Sequence, residues 1–225
     1  MNYLKLCQEL CREAGISSVA LSDVTGHDGD FERVVAWVAQ AWNELQIHRE
    51  DWWWMRGEFT LNTVIGDNSY SAADCTPAVT DLSEWEPDSF KIYSQDDGRA
   101  FEGTLSFMAF AEWDLTSNVG ILGPGRPTRF TIKPDMSLAF NAVPDKIYVV
   151  TGRYARAVTE LTTKTDIPAL PVQFHPAIVY LALQKYAAYE AAGEVYAYAL
   201  DRYNYYLTRI ERNQLNPITF GGPLA

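Results

Sequence analysis

Three consecutive tryptophans, Trp52, Trp53 and Trp54, form the stretch that most constrains how this chain can fold. Neighbouring positions on a helix lie about 100° apart, so three adjacent rings point in different directions. We therefore expect the triplet to wrap around the end of the helix before it, with at least two rings packed on something else. An alternating run over residues 59–65 follows at once. The triplet thus predicts a junction between helical and β regions, with its rings in a core rather than on a ligand-stacking platform.

The composition indicates an ordered protein with an uneven charge along the chain. Its 225 residues are 48% hydrophobic and 13% aromatic, enough for one sizeable core or a core with an added layer. Residues 1–100 hold 7 Lys and Arg against 18 Asp and Glu, whereas residues 101–225 hold 11 of each. An acidic half argues against gripping a phosphate backbone, although DNA could pass such a surface without sticking. The many tyrosines and tryptophans are typical of surfaces that face partner subunits.

Hydrophobic spacing predicts an α+β fold in which the first and last helices enclose a β region. Apolar residues recur at helical spacing in four segments, namely residues 2–14, 30–51, 175–191 and 194–212. Between them, five to seven short strands are expected in a compact antiparallel sandwich or barrel-like domain. The domain prediction is a helical bundle over residues 1–56 and 159–212, an inserted antiparallel β domain over 57–158, and an extended C-terminal docking tail over 213–225.

Local signals place several connections within this plan. We expect an acidic loop at residues 71–87, a hairpin turn at 95–98, a short helix at 106–115, and a Thr/Pro-containing linker at 159–172. Residues 128–132 and 138–142 are predicted to pair as a hairpin. No basic leader and no apolar run of about 18 residues is visible, so we expect synthesis in a cytoplasm and no membrane association.

Candidate chemistry is sparse, and we predict that the protein is not an enzyme and uses no cofactor or metal. Serine nucleophiles lack the G-x-S-x-G turn. Cys7 and Cys11 share a helix face as buried thiols, and the acidic surroundings of Cys75 would raise its pKa. His175 is expected to cap a helix or face an interface, since no partner for catalysis accompanies it. Two alternatives stay open: a carbohydrate- or receptor-binding tail module that uses exposed Trp and Tyr, and a hydrolase whose carboxylates pair only in space.

Several residue strings are characteristic in their order along the chain. The most specific are Asp51-Trp-x-Trp54 at a helix end and Leu170-Pro-x-x-Phe-His175 before two Tyr-rich helices, and weaker ones are Tyr3-Leu4-x-Leu6, Arg56-Gly57-x-Phe59 and Gly125-Arg-Pro127. In these strings the chain resembles the head-to-tail adaptor (head completion, or neck) proteins of tailed bacteriophages, including the tail tubular protein A type. The resemblance covers nearly the whole chain. Trp53 is an additional ring within the family pattern and is expected to mark a subunit contact.

The resemblance implies a structural virion protein, made in the host cytoplasm and located in the neck between head and tail. Its partners would be the portal protein, neighbouring copies in a ring of twelve, and a downstream tail or neck protein, while DNA passes through the ring without sequence-specific binding. The predicted portal or subunit contacts are Arg209, Arg212, Leu215, Ile218, Phe220, Leu224 and Trp53. From the charge distribution, the predicted channel-lining residues are Glu84, Glu86, Asp88, Asp96 and Asp97.

Overall fold

The computed structural model describes residues 1–17, 21–49, 51–116 and 122–215. The chain divides into two compact units, here called the helical unit (Met1–Met55 with Val158–Ala225) and the β unit (Arg56–Ala157). Helices at both ends of the chain flank a β region, and the predicted α+β class is confirmed.

The helical unit contains four α-helices in its described residues. They are α1 (Tyr3–Glu13), α2 (Asp30–Ile47), α4 (Pro176–Tyr189) and α5 (Gly193–Gln214), whereas α3 (Phe110–Thr116) belongs to the β unit. Helix α1 begins after Asn2, whose side chain accepts a hydrogen bond from the Lys5 amide at 3.0 Å. Proline at the first position of α4 has no amide hydrogen to leave unsatisfied. The apolar faces of all four helices meet in one core that includes the fully buried Trp42 and Trp52.

The tryptophan triplet differs from its prediction. Helix α2 ends at Ile47, and Trp53–Met55 form a separate 3₁₀ turn, so the triplet does not wrap around the end of α2. Trp52 is fully buried and its indole nitrogen donates to the Leu45 carbonyl at 3.1 Å. Its ring stacks on Trp54 at 4.5 Å between centroids. Trp52 and Trp54 therefore belong to the core of the helical unit, whereas Trp53 points outward with 47% of its surface exposed.

The segment predicted as a linker, residues 159–172, is attached to the helical core, which Leu161 and Leu170 enter. The Thr159 carbonyl accepts hydrogen bonds from the indole of Trp42 at 2.7 Å and from the amide of Gln46 at 3.0 Å. Downstream, the Asp166 carbonyl accepts from the amide of Tyr3 at 2.8 Å, which satisfies a free donor at the start of α1. Four hydrogen bonds from Thr162 and Thr163 lower the pKa of the Asp166 carboxyl to about 2.

The β unit holds two four-stranded sheets. The first has the order β1 (Arg56–Asn62), β8 (Tyr148–Arg156), β3 (Leu82–Ser94), β4 (Gly103–Thr104). The second has the order β2 (Ser69–Tyr70), β7 (Leu138–Phe140), β6 (Arg129–Ile132), β5 (Ser106–Phe107). The predicted hairpin of β6 and β7 is confirmed. Within the described residues, eight strands form where five to seven were expected, and β5 pairs with β6 in parallel although all pairs were predicted antiparallel.

Both sheets contribute to one core. Phe90 of β3 stacks on Phe130 of β6 at 4.2 Å, and the indole of Trp85 donates to the Met136 carbonyl at 2.8 Å. Close packing at one edge depends on Gly57, because a Cβ there would lie 2.3 Å from the ring of Tyr154.

Two local predictions in the β unit were wrong. Strand β3 begins at Leu82, inside the segment expected to be an acidic loop, because Trp85 turns inward while its neighbours face solvent. Residues 106–107 are strand β5, and the expected short helix begins only at Phe110 as α3 (Phe110–Thr116).

Candidate interaction surfaces

Three of the proposed channel-lining carboxylates, Glu84, Glu86 and Asp88, lie on strand β3 and not on a loop. Glu86 accepts from the guanidinium Nε of Arg56 at 2.8 Å and of Arg153 at 3.2 Å, so its charge is neutralised within the sheet. Glu84 and Asp88 are exposed and have no ion pair among the described residues. The three carboxylates therefore lie in two different environments on one strand, one ion-paired and one exposed to solvent.

The other two proposed channel residues, Asp96 and Asp97, lie in the turn after β3. The Lys146 ammonium donates to Asp97 at 2.8 Å, and this hydrogen bond lowers the pKa of the Asp97 carboxyl. Asp96 is exposed and carries no ion pair in the part of the chain that the structure describes. Glu84, Asp88 and Asp96 are thus the candidates whose charge is free to act on a passing polyanion.

The two units share the negative charge almost equally. The helical unit contains 9 Lys and Arg against 15 Asp and Glu, a net −6, and the β unit contains 9 against 14, a net −5. The first hundred residues span parts of both units, so the acidic half of the sequence does not correspond to an acidic half of the structure.

The thiols and His175 are buried in packed surroundings. Burial raises the pKa of the Cys7 thiol to about 12. Burial, and to a smaller extent the negative charge of the nearby Asp74, raises the pKa of Cys75 to about 11, which is the direction predicted. His175 is fully buried, its Nε2 donates to the Leu170 carbonyl at 2.8 Å, and burial lowers its pKa. His175 occupies the N-cap position of α4, as predicted, but its side chain makes no capping hydrogen bond to the helix.

Helix α5 carries a surface that the sequence search did not single out. Tyr and Arg alternate along one side at spacings of three and four residues, which places them on a common face. We call this surface the Tyr–Arg stripe; it consists of Tyr198, Arg202, Tyr205, Tyr206, Arg209 and Arg212, together with Tyr180 of α4. Arg202 lies 5.1 to 5.6 Å from the ring centroids of Tyr180, Tyr205 and Tyr206, and Arg209 lies 4.3 Å from that of Tyr205.

Comparison with known families identifies the chain. The sequence model of the SU10 adaptor protein family matches residues 1–224. The chain belongs to this family. It is therefore a phage head-to-tail adaptor, a structural protein that associates with portal and tail proteins in the neck of the virion. No curated protein matches the sequence of this adaptor.

The remaining contact candidates of the adaptor fall in two places. Trp53 is the one exposed tryptophan of the seven, all of which lie in described parts of the chain. Helix α5 continues through Gln214, two residues beyond its predicted end, and Leu215 packs partly against the helical core. Ile218, Phe220 and Leu224 lie outside the described residues. Within the residues that the structure describes, no helix is long and apolar enough to cross a membrane.

A sequence signal for the Tyr–Arg stripe was available. The spacing of Tyr198, Arg202, Tyr205 and Arg209 is helical, but Tyr196 and Leu200 also recur at helical spacing and suggest a different, apolar face. Both are exposed, and the buried face runs instead through Ala199, Tyr203 and Ile210. Reading the helix by its aromatic and cationic spacing, instead of its apolar spacing alone, would have found the stripe.

Proposed function

We propose that the adaptor works as a closed ring of twelve copies beneath the portal and extends the DNA channel toward the tail. The observation that carries this proposal is the family match over residues 1–224, which spans both units. Heterologous contacts between identical subunits form rings when the rotation closes, and a ring is the shape that lets DNA pass. The candidate contacts are Arg209, Arg212 and Trp53, with the apolar side chains Leu215, Ile218, Phe220 and Leu224 of the C-terminal tail.

Structure determination of the adaptor on its portal by cryo-electron microscopy tests this proposal. Twelve copies in a closed ring coaxial with the portal are expected, and native mass spectrometry of the same complex should give the matching mass. The isolated adaptor is expected to remain monomeric until the portal templates it. A stable adaptor dimer on the portal, or no complex, would contradict the proposal.

In this proposal the channel wall is acidic and contains Glu84, Asp88 and Asp96. Like charge repels the DNA phosphates, so DNA slides instead of binding. Replacing all three with Lys should slow DNA ejection, and the effect should be larger at low ionic strength because salt screens exposed charges. A matched control reverses Glu58, Glu112 and Glu160, which are exposed, have no ion pair in the described chain and lie outside the candidate channel residues, so it gives the same change in charge. Equal ejection rates of the two variants at low salt would remove these residues from the channel.

The proposal assigns the tail to docking on the portal or on an adjacent subunit. Gln214 is buried and Leu215 packs on the helical core, so the informative truncation removes residues 216–225 and leaves both in place. We expect the truncated adaptor to keep its thermal midpoint and to lose attachment to the portal in a co-sedimentation assay. Full attachment of the truncated protein would exclude a docking role for the tail.

A further inference from the structure

The arginines of α5 differ from the other arginines of the helical unit in their partners. Arg12 pairs with Glu9, Arg33 with Asp30 at 3.0 Å, and Arg49 with Glu211 at 3.3 Å. Arg202, Arg209 and Arg212 have no ion pair among the residues that the structure describes, although the chain holds 29 carboxylates. Three unneutralised cations on one helix of an acidic protein indicate a surface that meets an anion from outside its own unit.

Contact with tyrosine rings prepares the guanidinium groups of Arg202 and Arg209 for a carboxylate. A cation–π contact occupies no hydrogen-bond acceptor, so the N–H donors of the guanidinium remain available. The guanidinium carbon of Arg209 lies 4.3 Å from the centroid of the Tyr205 ring, and that of Arg202 lies 5.6 Å from the centroid of the Tyr180 ring. The rings hold the long side chains in place, which lowers the entropy that binding would otherwise cost.

A cavity of about 510 Å³ lies at the C-terminal end of the stripe. It is lined by Gln173, Phe174, Tyr206, Arg209, Arg212 and Asn213. Two cations, two aromatic rings and two amides provide both apolar contact and donors for an anionic side chain.

The same unit carries the complementary charge on different elements. Asp28 and Glu32 lie at the start of α2, and Glu190 and Glu194 lie at the turn between α4 and α5; all four are exposed and unpaired within the described ranges. Contact of the Arg33 guanidinium with the Tyr189 ring at 4.6 Å brings these two segments together. We call the four carboxylates the acidic end. Opposite charges on separate parts of one chain can pair between two copies, and in a ring they do so through a heterologous contact.

We propose that the Tyr–Arg stripe binds the acidic end of a second copy of this chain. The proposal rests on the proposed ring and names the contact that would close it. Tyr and Arg are enriched and Lys is depleted in protein interfaces, and the stripe contains no Lys. Interleaved Arg and Tyr can also bind nucleic acid, but the net charge of −6 on the helical unit favours a protein partner.

The test is a charge swap in the full-length adaptor assembled on its portal. Variant one carries Arg202→Glu and Arg209→Glu, variant two carries Glu190→Arg and Glu194→Arg, and variant three carries all four changes. Closed rings are counted by native mass spectrometry and electron microscopy. Reversing one side places like charges together, so variants one and two should form closed rings on the order of tenfold less often. Variant three restores the complementarity and should recover ring formation.

A matched control reverses Arg99 and Arg129 of the β unit, both exposed and without ion pairs in the described chain, and it should form rings as the wild type does. Thermal unfolding monitored by circular dichroism checks that each variant is folded.

Each result assigns the surface differently. If the wild type forms no ring on the portal, the proposed function fails. If the wild type forms rings and variant one does so equally well, the stripe is not the subunit contact and the inference fails alone. Loss of ring formation in variant one without recovery in variant three points to the portal as the partner of the stripe. This result also overturns the inference. Unchanged rings with loss of duplex-DNA retention at low salt would make the stripe a nucleic-acid surface.

Discussion

The helical and β units carry similar net charge but use their charged side chains differently. In the β unit, Glu86 connects Arg56 of β1 to Arg153 of β8, and Asp97 pairs with Lys146. These pairs join neighbouring segments of one sheet. In the helical unit, Arg202 and Arg209 of α5 contact tyrosine rings and have no ion pair among the described residues. The comparison teaches that the pairing of charges, and not their number, distinguishes a surface that holds the fold together from one available to a partner.

The largest expected effect concerns one buried tryptophan in each unit. Trp42 and Trp85 each donate from the indole to a backbone carbonyl, at 2.7 Å to Thr159 and 2.8 Å to Met136. Trp42→Ala and Trp85→Ala should each lower the free energy of unfolding by about 3–5 kcal/mol, through the cavity and the unpaired carbonyl. Urea unfolding followed by circular dichroism measures the loss, and hydrogen exchange shows which unit opens. A loss under about 1 kcal/mol for either variant would contradict the assignment of that ring to a core.

The next effect is specific to the β unit. A methyl group at Gly57 would overlap the ring of Tyr154, whose hydroxyl is held by Asp81 at 2.9 Å and so cannot move freely. We expect Gly57→Ala to cost about 1–3 kcal/mol in unfolding free energy. Gly123→Ala is the matched control, since a Cβ added at that position would meet no other atom within 4 Å. Similar unfolding midpoints for the two variants would show that the β1 edge is loosely packed.

The sequence predicted the fold class and most of the helices because their periodicity is set by burial on one side. Its errors have physical causes. Leu82 to Trp85 resembled a loop because Glu84 and Glu86 flank the single inward-facing ring, and the strand is held by pairing with β8, which the local sequence does not contain. Helix α2 ends at Ile47, before its predicted end, and Trp52 turns back to donate to the Leu45 carbonyl, a contact that helical spacing does not reveal.

The candidate surfaces were less predictable than the fold. Glu86 and Glu84 are indistinguishable in sequence, and only the register between β1, β8 and β3 brings two arginines to one of them. The predicted contacts Arg209 and Arg212 lie on the Tyr–Arg stripe, but Arg202 was missed because Tyr180, one of its partners, comes from another helix. Spatial pairing of charges is a long-range property, so a local pattern does not determine it.

A third prediction concerns how the stability of each unit depends on pH. All three histidines, His27, His48 and His175, belong to the helical unit. Burial lowers the pKa of His175 below its usual 6.5, so its neutral form is favoured by folding. Its contribution to stability is present above pH 6.5 and is lost as the pH falls through the pKa of the folded state. Between pH 7.5 and 5.5 the helical unit should weaken, with a slope of at most about 1.4 kcal/mol per pH unit from this one proton.

Urea unfolding at several pH values, with hydrogen exchange to resolve the units, measures this slope. His175→Gln keeps a donor for the Leu170 carbonyl but does not titrate, so its helical unit should show a shallower pH dependence than the wild type. An unchanged slope in His175→Gln would assign the pH dependence to other groups.

The smallest expected effect tests the charge comparison itself. Glu84 and Glu86 lie two residues apart on β3, and each loses one negative charge on replacement by Gln. Glu86 accepts from two arginines and its side chain is 25% exposed, whereas Glu84 has no ion pair in the described residues. Partly exposed ion pairs contribute about 0.2–1 kcal/mol each, so Glu86→Gln should lower the unfolding free energy by roughly 0.5–1.5 kcal/mol. Glu84→Gln should leave it within about 0.5 kcal/mol of the wild type. If both variants unfold at the same urea concentration, Glu86 does not stabilise its sheet. It then joins Glu84, Asp88 and Asp96 as a candidate whose charge is available to the DNA channel.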